Sequence, residues 1–285
     1  LSKGYRQRVG LIGGSLAIDI KKNNPEVVIY GVSRKEATLD KALELGLIDR
    51  KATLDDISKA DLVIVSIPVD ATVKLLPTIL DKIPDTGLVV DAGSTKVDIC
   101  RVVENHPKRR NFLAMHPIAG TEHSGPSAAI EGLFLGKTNI VCEVEKTTFK
   151  LQEKALKLFT DLGMRIRYMN PEAHDKHIAY MSHLSHISSF MLGKTVIEKE
   201  KNERDIFDMA GSGFASTVRL AKSSPEMWTP IFEQNKTNAI ETLEEYIENL
   251  TQFKELMQAD DFDAINTEMK NTNHIKDILK GISQE

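Results

Sequence analysis

Short runs of consecutive apolar residues alternate with stretches whose apolar positions recur every three to four residues, up to Met169. Val27–Val32, Leu62–Ile67, Leu88–Val90, Phe112–Met115, Asn139–Cys142 and Met164–Met169 read as strands, most of them too apolar to be half-exposed. Between them, Glu36–Leu45, Val69–Lys82 and Phe149–Leu162 have helical spacing. The last carries an apolar stripe of Leu151, Ala155, Leu158, Phe159 and Leu162. Pro68 opens one of these helices, and Gly46 and Gly163 close the other two. Strands alternating with helices across short turns predict a doubly wound sheet over residues 1–169. Asn170-Pro171 marks a boundary, and residues 170–285 read as helix after helix: Glu172–Glu200, Ile231–Met257 and Phe262–Ile282. The fold class expected is α/β followed by all-α. The opening LSKGYRQRV departs from the pattern: Leu1, Tyr5 and Val9 are its only sizeable apolar residues, and no apolar strand is expected there.

With 41% hydrophobic residues, 285 positions are enough for two cores. A net charge of -4 gives no bulk attraction to nucleic acid or to a membrane surface. Cys100 and Cys142 are too few for a disulfide framework, and no apolar run reaches transmembrane length. A reduced, cytoplasmic protein is expected.

Candidate chemistry gathers at predicted strand ends. Gly10-Leu11-Ile12-Gly13 matches the second half of a dinucleotide fingerprint, with glycines where backbone must approach a pyrophosphate at a helix N-terminus. Arg8 stands where the first fingerprint glycine belongs. The second strand ends at Ser33-Arg34 rather than at an acidic residue, which suits the 2′-phosphate of NADP over NAD; alternatively, Arg34 is a solvated loop residue. Ser94 follows the Leu88–Val90 strand, and His116 ends the next. A histidine that can trade a proton beside a hydroxyl suits alcohol oxidation. His183 and His186 share a helix face with Ser182, but no carboxylate at helical spacing completes a metal site, and no metal is expected. Arg219, after the glycine-rich Ala210–Gly213, could grip a carboxylate bidentately.

Asp91-x-Gly93-Ser94-x-Lys96, followed by His116-Pro-Ile-Ala-Gly-Thr121-Glu122, resembles the prephenate dehydrogenase family, with its arogenate and cyclohexadienyl variants, over most of the chain. The resemblance implies a Rossmann-like dinucleotide domain and a helical substrate and dimerisation domain. It implies oxidative decarboxylation of prephenate to 4-hydroxyphenylpyruvate in tyrosine biosynthesis, reducing NAD or NADP. His116 and Ser94 would be catalytic, and Arg219, Ser182, His183, His186, Thr121 and Glu122 would line or gate the substrate pocket. Trp228 would reach the partner's pocket, or else be a core aromatic. Ser66, Ile67 and Pro68 would pass near the nicotinamide ribose. The family often carries an acidic residue where Ser216 stands. The partners implied are a small acid and a second copy of the chain. Three alternatives remain: arogenate as substrate, a β-hydroxyacid dehydrogenase, or a catalytically impaired dinucleotide-binding protein.

Overall fold

In a computed structural model, residues 4–7, 10–201, 203 and 205–284 are described. Among these residues eight strands form one sheet: β1 (Gly4–Gln7), β2 (Val28–Gly31), β3 (Arg50–Lys51), β4 (Leu62–Val65), β5 (Leu88–Asp91), β6 (Phe112–Pro117), β7 (Thr138–Cys142) and β8 (Arg165–Met169). Their spatial order is β3-β2-β1-β4-β5-β6-β7-β8, parallel except where β7 runs antiparallel to β6. The first six strands therefore send their carboxyl ends to one edge, with the order reversing beside β1, where open α/β sheets bind ligands.

Strand periodicity explains the layers. Leu62, Ile64, Leu88 and Val90 point to one face and join α1 (Leu11–Asn23), α2 (Glu36–Glu44) and α5 (Phe149–Asp161) in one apolar core. Val63, Val65, Val89, Phe112 and Ala114 point to the other and pack on α3 (Val69–Lys82), α4 (Val97–Val102) and α9 (Pro225–Gln234), which contributes Trp228 and Ile231. Cys100 and Cys142 lie in this second core, and burial pushes the Cys142 thiol up to about 12.

β1 corrects the expectation that no strand precedes Gly10. It pairs with β2 on one side and β4 on the other, Tyr5 standing opposite both Ile29 and Leu62. Backbone bonds to two apolar neighbours hold a strand whose own residues signal little. Arg8 lies outside the described residues.

The helical series continues with α6 (Pro171–Ile178), a π-helical turn at Ala179–His183, α7 (Leu184–Glu200) and α8 (Ser212–Thr217). Two expected long helices are each broken. α9 ends at Gln234 and α10 (Lys236–Gln258) restarts after buried Asn235, whose side chain bonds elsewhere in the fold. α11 (Phe262–Thr272) and α12 (Ile275–Gln284) are separated by Asn273-His274, in a run whose asparagine favours turns over helix interior. By contacts the chain divides into two compact units, residues 1–236 and 237–285.

Candidate active site

The loop after β5 is locked from within. Lys96 and Asp91 are both 0% exposed and form an ion pair, and Lys96 Nζ also donates to the Met115 carbonyl at 2.6 Å. Asp91 accepts from the Gly93 N–H at 2.9 Å and the Met115 N–H at 3.3 Å. A Cβ on Gly93 would stand 2.6 Å from the Cδ1 of Ile99 and 3.0 Å from Asp91 Oδ2, so a larger residue there would have to displace the Ile99 side chain. The motif Asp-x-Gly-Ser-x-Lys thus fastens the Ser94 turn to the residue just before His116.

His116 sits at the end of β6, on the strand next to the one that leads to Ser94. Its side chain does not bond Ser94; its Nδ1 lies 2.8 Å from His174 Nε2. His174 Nδ1 lies in turn 2.7 Å from Asp175 Oδ1. The same carboxylate accepts the backbone N–H groups of Lys96 at 2.7 Å and Val97 at 3.0 Å. The backbone amides at the start of α4 are therefore taken by a side chain from α6. Burial, then the nearby His174, Lys96 and His183, hold His116 well below the ordinary histidine range, so it is neutral at physiological pH. Burial also lowers His174, against the pull of Asp175.

The π-helical turn adds a residue to the helix path, a distortion frequent at functional sites. Within and after it, His183 and His186 take different environments. His183 is 0% exposed, lies edge-on to Trp228 and Phe232, and burial lowers it to about 4. Its Nδ1 lies 3.2 Å from Asn235 Nδ2, and its Nε2 has no partner among the described residues. His183 is thus enclosed by Trp228, Phe232 and Asn235. His186 donates from Nδ1 to the Ser182 carbonyl at 2.9 Å and stacks on Trp228 with ring centroids 3.5 Å apart. Burial and then the approach of Arg219 lower its pKa, although the Ser182 bond opposes them. Trp228 is buried within its own chain and belongs to the second core.

Arg219 follows α8 in a 3₁₀ turn, and its Nη1 donates to Glu122 Oε2 at 2.8 Å. Two residues separated by 97 positions are thereby joined across the loop that leaves His116. Glu122's own backbone N–H, and then Arg219, hold its carboxyl below the usual range. Thr121 accepts the His123 N–H at 3.2 Å and shapes the same loop. His174, Asp175 and Asn235 were not singled out as site residues from the sequence; the one signal was the adjacent His-Asp pair at a helix start.

At the other end of the crevice, Gly10 is the N-cap of α1, in extended conformation, with no side chain capping the helix. Among the described residues nothing lies within 4 Å of where a Gly10 Cβ would stand, whereas one on Gly14 would meet Ala129 at 2.7 Å. An uncapped helix start with open space before it fits a dinucleotide pyrophosphate, bounded by Leu11, Ile12 and Gly13. Ser33 accepts the Lys35 N–H at 3.2 Å, and Arg34 is exposed. Ser66, Ile67 and Pro68 bridge the end of β4 to α3, Thr72 donating back to the Ile67 carbonyl at 3.3 Å. No group of residues able to hold a metal occurs among the described residues. No helix among them is long and apolar enough to cross a membrane.

Residues 16–168 match the model of the prephenate dehydrogenase nucleotide-binding domain, and residues 170–271 that of the prephenate dehydrogenase dimerization domain. Prephenate dehydrogenase of Bacillus subtilis is 30% identical over 275 residues, which is 95% of this chain and 74% of that protein. The crystal structure of prephenate dehydrogenase from A. aeolicus, in complex with hydroxyphenyl propionate and NAD+, superposes with a TM-score of 0.89 at 30% identity, covering 97% of each chain. Synechocystis arogenate dehydrogenase is also similar, at 26% identity and a TM-score of 0.76, over 96% of this chain and 99% of that one. Two family models that follow one another along the chain, on a sheet edge that offers a neutral histidine and an uncapped glycine helix, leave one assignment: the chain is an NAD-dependent oxidoreductase of the prephenate dehydrogenase family.

Proposed function

We propose that this chain oxidatively decarboxylates prephenate to 4-hydroxyphenylpyruvate. The observation that carries this is a histidine kept neutral at a strand's carboxyl end, on the sheet edge that also bears the uncapped glycine start of α1. The bound dinucleotide supplies the hydride acceptor. His116 takes the proton of the ring hydroxyl as the hydride leaves the same carbon, giving a carbonyl. The ring carboxylate departs as CO2, its bonding pair aromatises the ring, and the resulting phenolate recovers the proton from His116. No net proton is consumed. Ser94 hydrogen-bonds the hydroxyl, and Arg219 fixes a substrate carboxylate in the place Glu122 now holds. Thr121, Ser182 and His186 line the pocket, while residues 1–169 carry the dinucleotide and residues 170–285 the helical half of the enzyme. Exposed Met191 and Ile197 on α7, and exposed Ile247, Leu250 and Met257 on α10, supply apolar surface for a homodimer. The appearance of reduced cofactor with prephenate, and its slower appearance with arogenate, is the direct test. Turnover of arogenate alone would transfer the same chemistry to the amino substrate.

Arg219→Ala should raise the KM for prephenate by about 30-fold or more, because a bidentate carboxylate contact is worth roughly 2–4 kcal/mol once desolvated. Cofactor affinity should stay unchanged. Weaker cofactor binding in this variant would assign Arg219 to another site.

The complex of the A. aeolicus neighbour supports NAD as a cofactor. Ser33 and exposed Arg34, with no carboxylate at the strand end, favour a modest preference for NADP. Titration of both cofactors should give tighter NADP binding, and Arg34→Ala should erase the difference. If the parent binds NAD more tightly, or if Arg34→Ala leaves the ratio as it was, Arg34 does not read the 2′-phosphate.

A further inference from the structure

We infer that Asp175 and His174 are positioning residues that fix the tautomer of His116 and bear the charge it acquires; this rests on His116 being the base. A carboxylate can only accept, so the hydrogen on His174 sits on Nδ1, facing Asp175 at 2.7 Å. Neutral His174 then offers a lone pair at Nε2, which at 2.8 Å accepts from His116 Nδ1–H. The lone pair of His116 is thereby forced onto Nε2, which no protein group occupies among the described residues. Without this chain of contacts, half-buried His116 could place its hydrogen on Nε2 and be unable to take a proton.

The charge argument points the same way. When Nε2 takes the hydroxyl proton, the imidazolium lies in a site that otherwise disfavours it: burial, Lys96 and His183 all oppose a positive charge there. The groups facing the His116–His174 pair are Lys96, Asp91, Asp175 and His183. Of the two carboxylates, Asp91 is taken up by Lys96, whereas Asp175 is aligned with the pair through His174. The proton returns to the phenolate from Nε2, so the step moves no proton onto Asp175. His174 and Asp175 are 2% and 3% exposed, so water does not compete for these contacts. The carboxylate is itself aimed by the amides of Lys96 and Val97, which fixes the relay to the turn that carries Ser94.

Kinetics with prephenate and NAD across pH distinguish this from a packing role. His174→Leu should lower kcat at least tenfold with KM changed less than twofold. His174→Gln, which can place an acceptor near the lost Nε2, should recover much of that loss. Asp175→Asn should lower kcat and shift the acid limb of its pH profile downward, since the charge favouring protonation is gone. It should also abolish the downfield N–H resonance of His174 Nδ1 in cofactor-free protein, which does not depend on turnover. An unmoved acid limb in Asp175→Asn, or equal activity of the Leu and Gln variants, overturns the relay even if kcat falls. Should Asp175→Asn fail to fold, the His174 pair decides alone. Loss of turnover in His116→Asn beside parent-like His174 variants rejects the relay and keeps the base; parent-like turnover in His116→Asn rejects the base itself.

Discussion

His116→Asn is expected to lower turnover by about 10²-fold or more while leaving the fold and cofactor binding intact. Asparagine preserves a polar group of similar reach toward His174, so the buried contact at 2.8 Å is not replaced by a void. What it removes is the group proposed to hold the hydroxyl proton and return it. Stopped-flow appearance of reduced cofactor measures the loss, and equilibrium titration of the cofactor checks that binding survives. The parent's pH dependence carries the same argument. Because burial depresses His116, its neutral form persists as pH falls through the ordinary histidine range. Turnover should therefore stay level through pH 6 to 7 and decline only as pH drops through the depressed value. A limb centred on the ordinary value of about 6.5 would mean that His116 is not the titrating group.

The largest effect on stability is expected at Lys96. Its removal leaves the Asp91 carboxyl without its partner in a site with no exposure, and breaking a buried pair in this way costs about 3–5 kcal/mol. Lys96→Ala also deletes the donor to the Met115 carbonyl and leaves a cavity under the turn. A midpoint lower by roughly 6–20 °C should follow, given about 2–4 °C per kcal/mol for a chain of this size. Lys96→Met, which restores most of the volume but not the charge, should recover only the packing share. If Lys96→Ala melts within a degree of the parent, Asp91 has found other compensation and the pair is not what holds the turn.

The sheet was legible in the sequence wherever burial writes itself as apolar runs. Leu62–Val65 and Leu88–Asp91 are strands buried on both faces, and the Val69–Lys82 helix has the boundaries its proline and spacing indicate. β1 was illegible because what holds it is backbone pairing with β2 and β4, which leaves no mark on side-chain type. The break at Asn235 was hidden for a related reason: a 2.6 Å bond to the Asp175 carbonyl, 60 positions away, outweighs local helical spacing. In the site, His116 and Ser94 stood out because adjacent strand ends concentrate chemistry. The partner of His116 did not, because the contact with His174 spans 58 positions and only the fold creates it. Lys96 belonged to a recognised motif, yet its complete burial reads as a structural bolt rather than as a binding group.

The carboxylate of Asp175 closes two backbone amides on a turn that precedes it by almost eighty positions. In the linear chain, the dinucleotide half and the helical half meet at Asn170-Pro171; in the folded chain that seam is crossed at once. A fragment ending at Met169 would lose the acceptor for Lys96 and Val97, the ring against His116, and the Trp228 and Ile231 cover over α3 and α4. The nucleotide half is thus an unfinished object, and its active turn is completed by residues translated after it. A dinucleotide half joined to the helical half of a relative should keep this turn in place only where that half supplies a carboxylate at the position of Asp175 and a ring at that of His174.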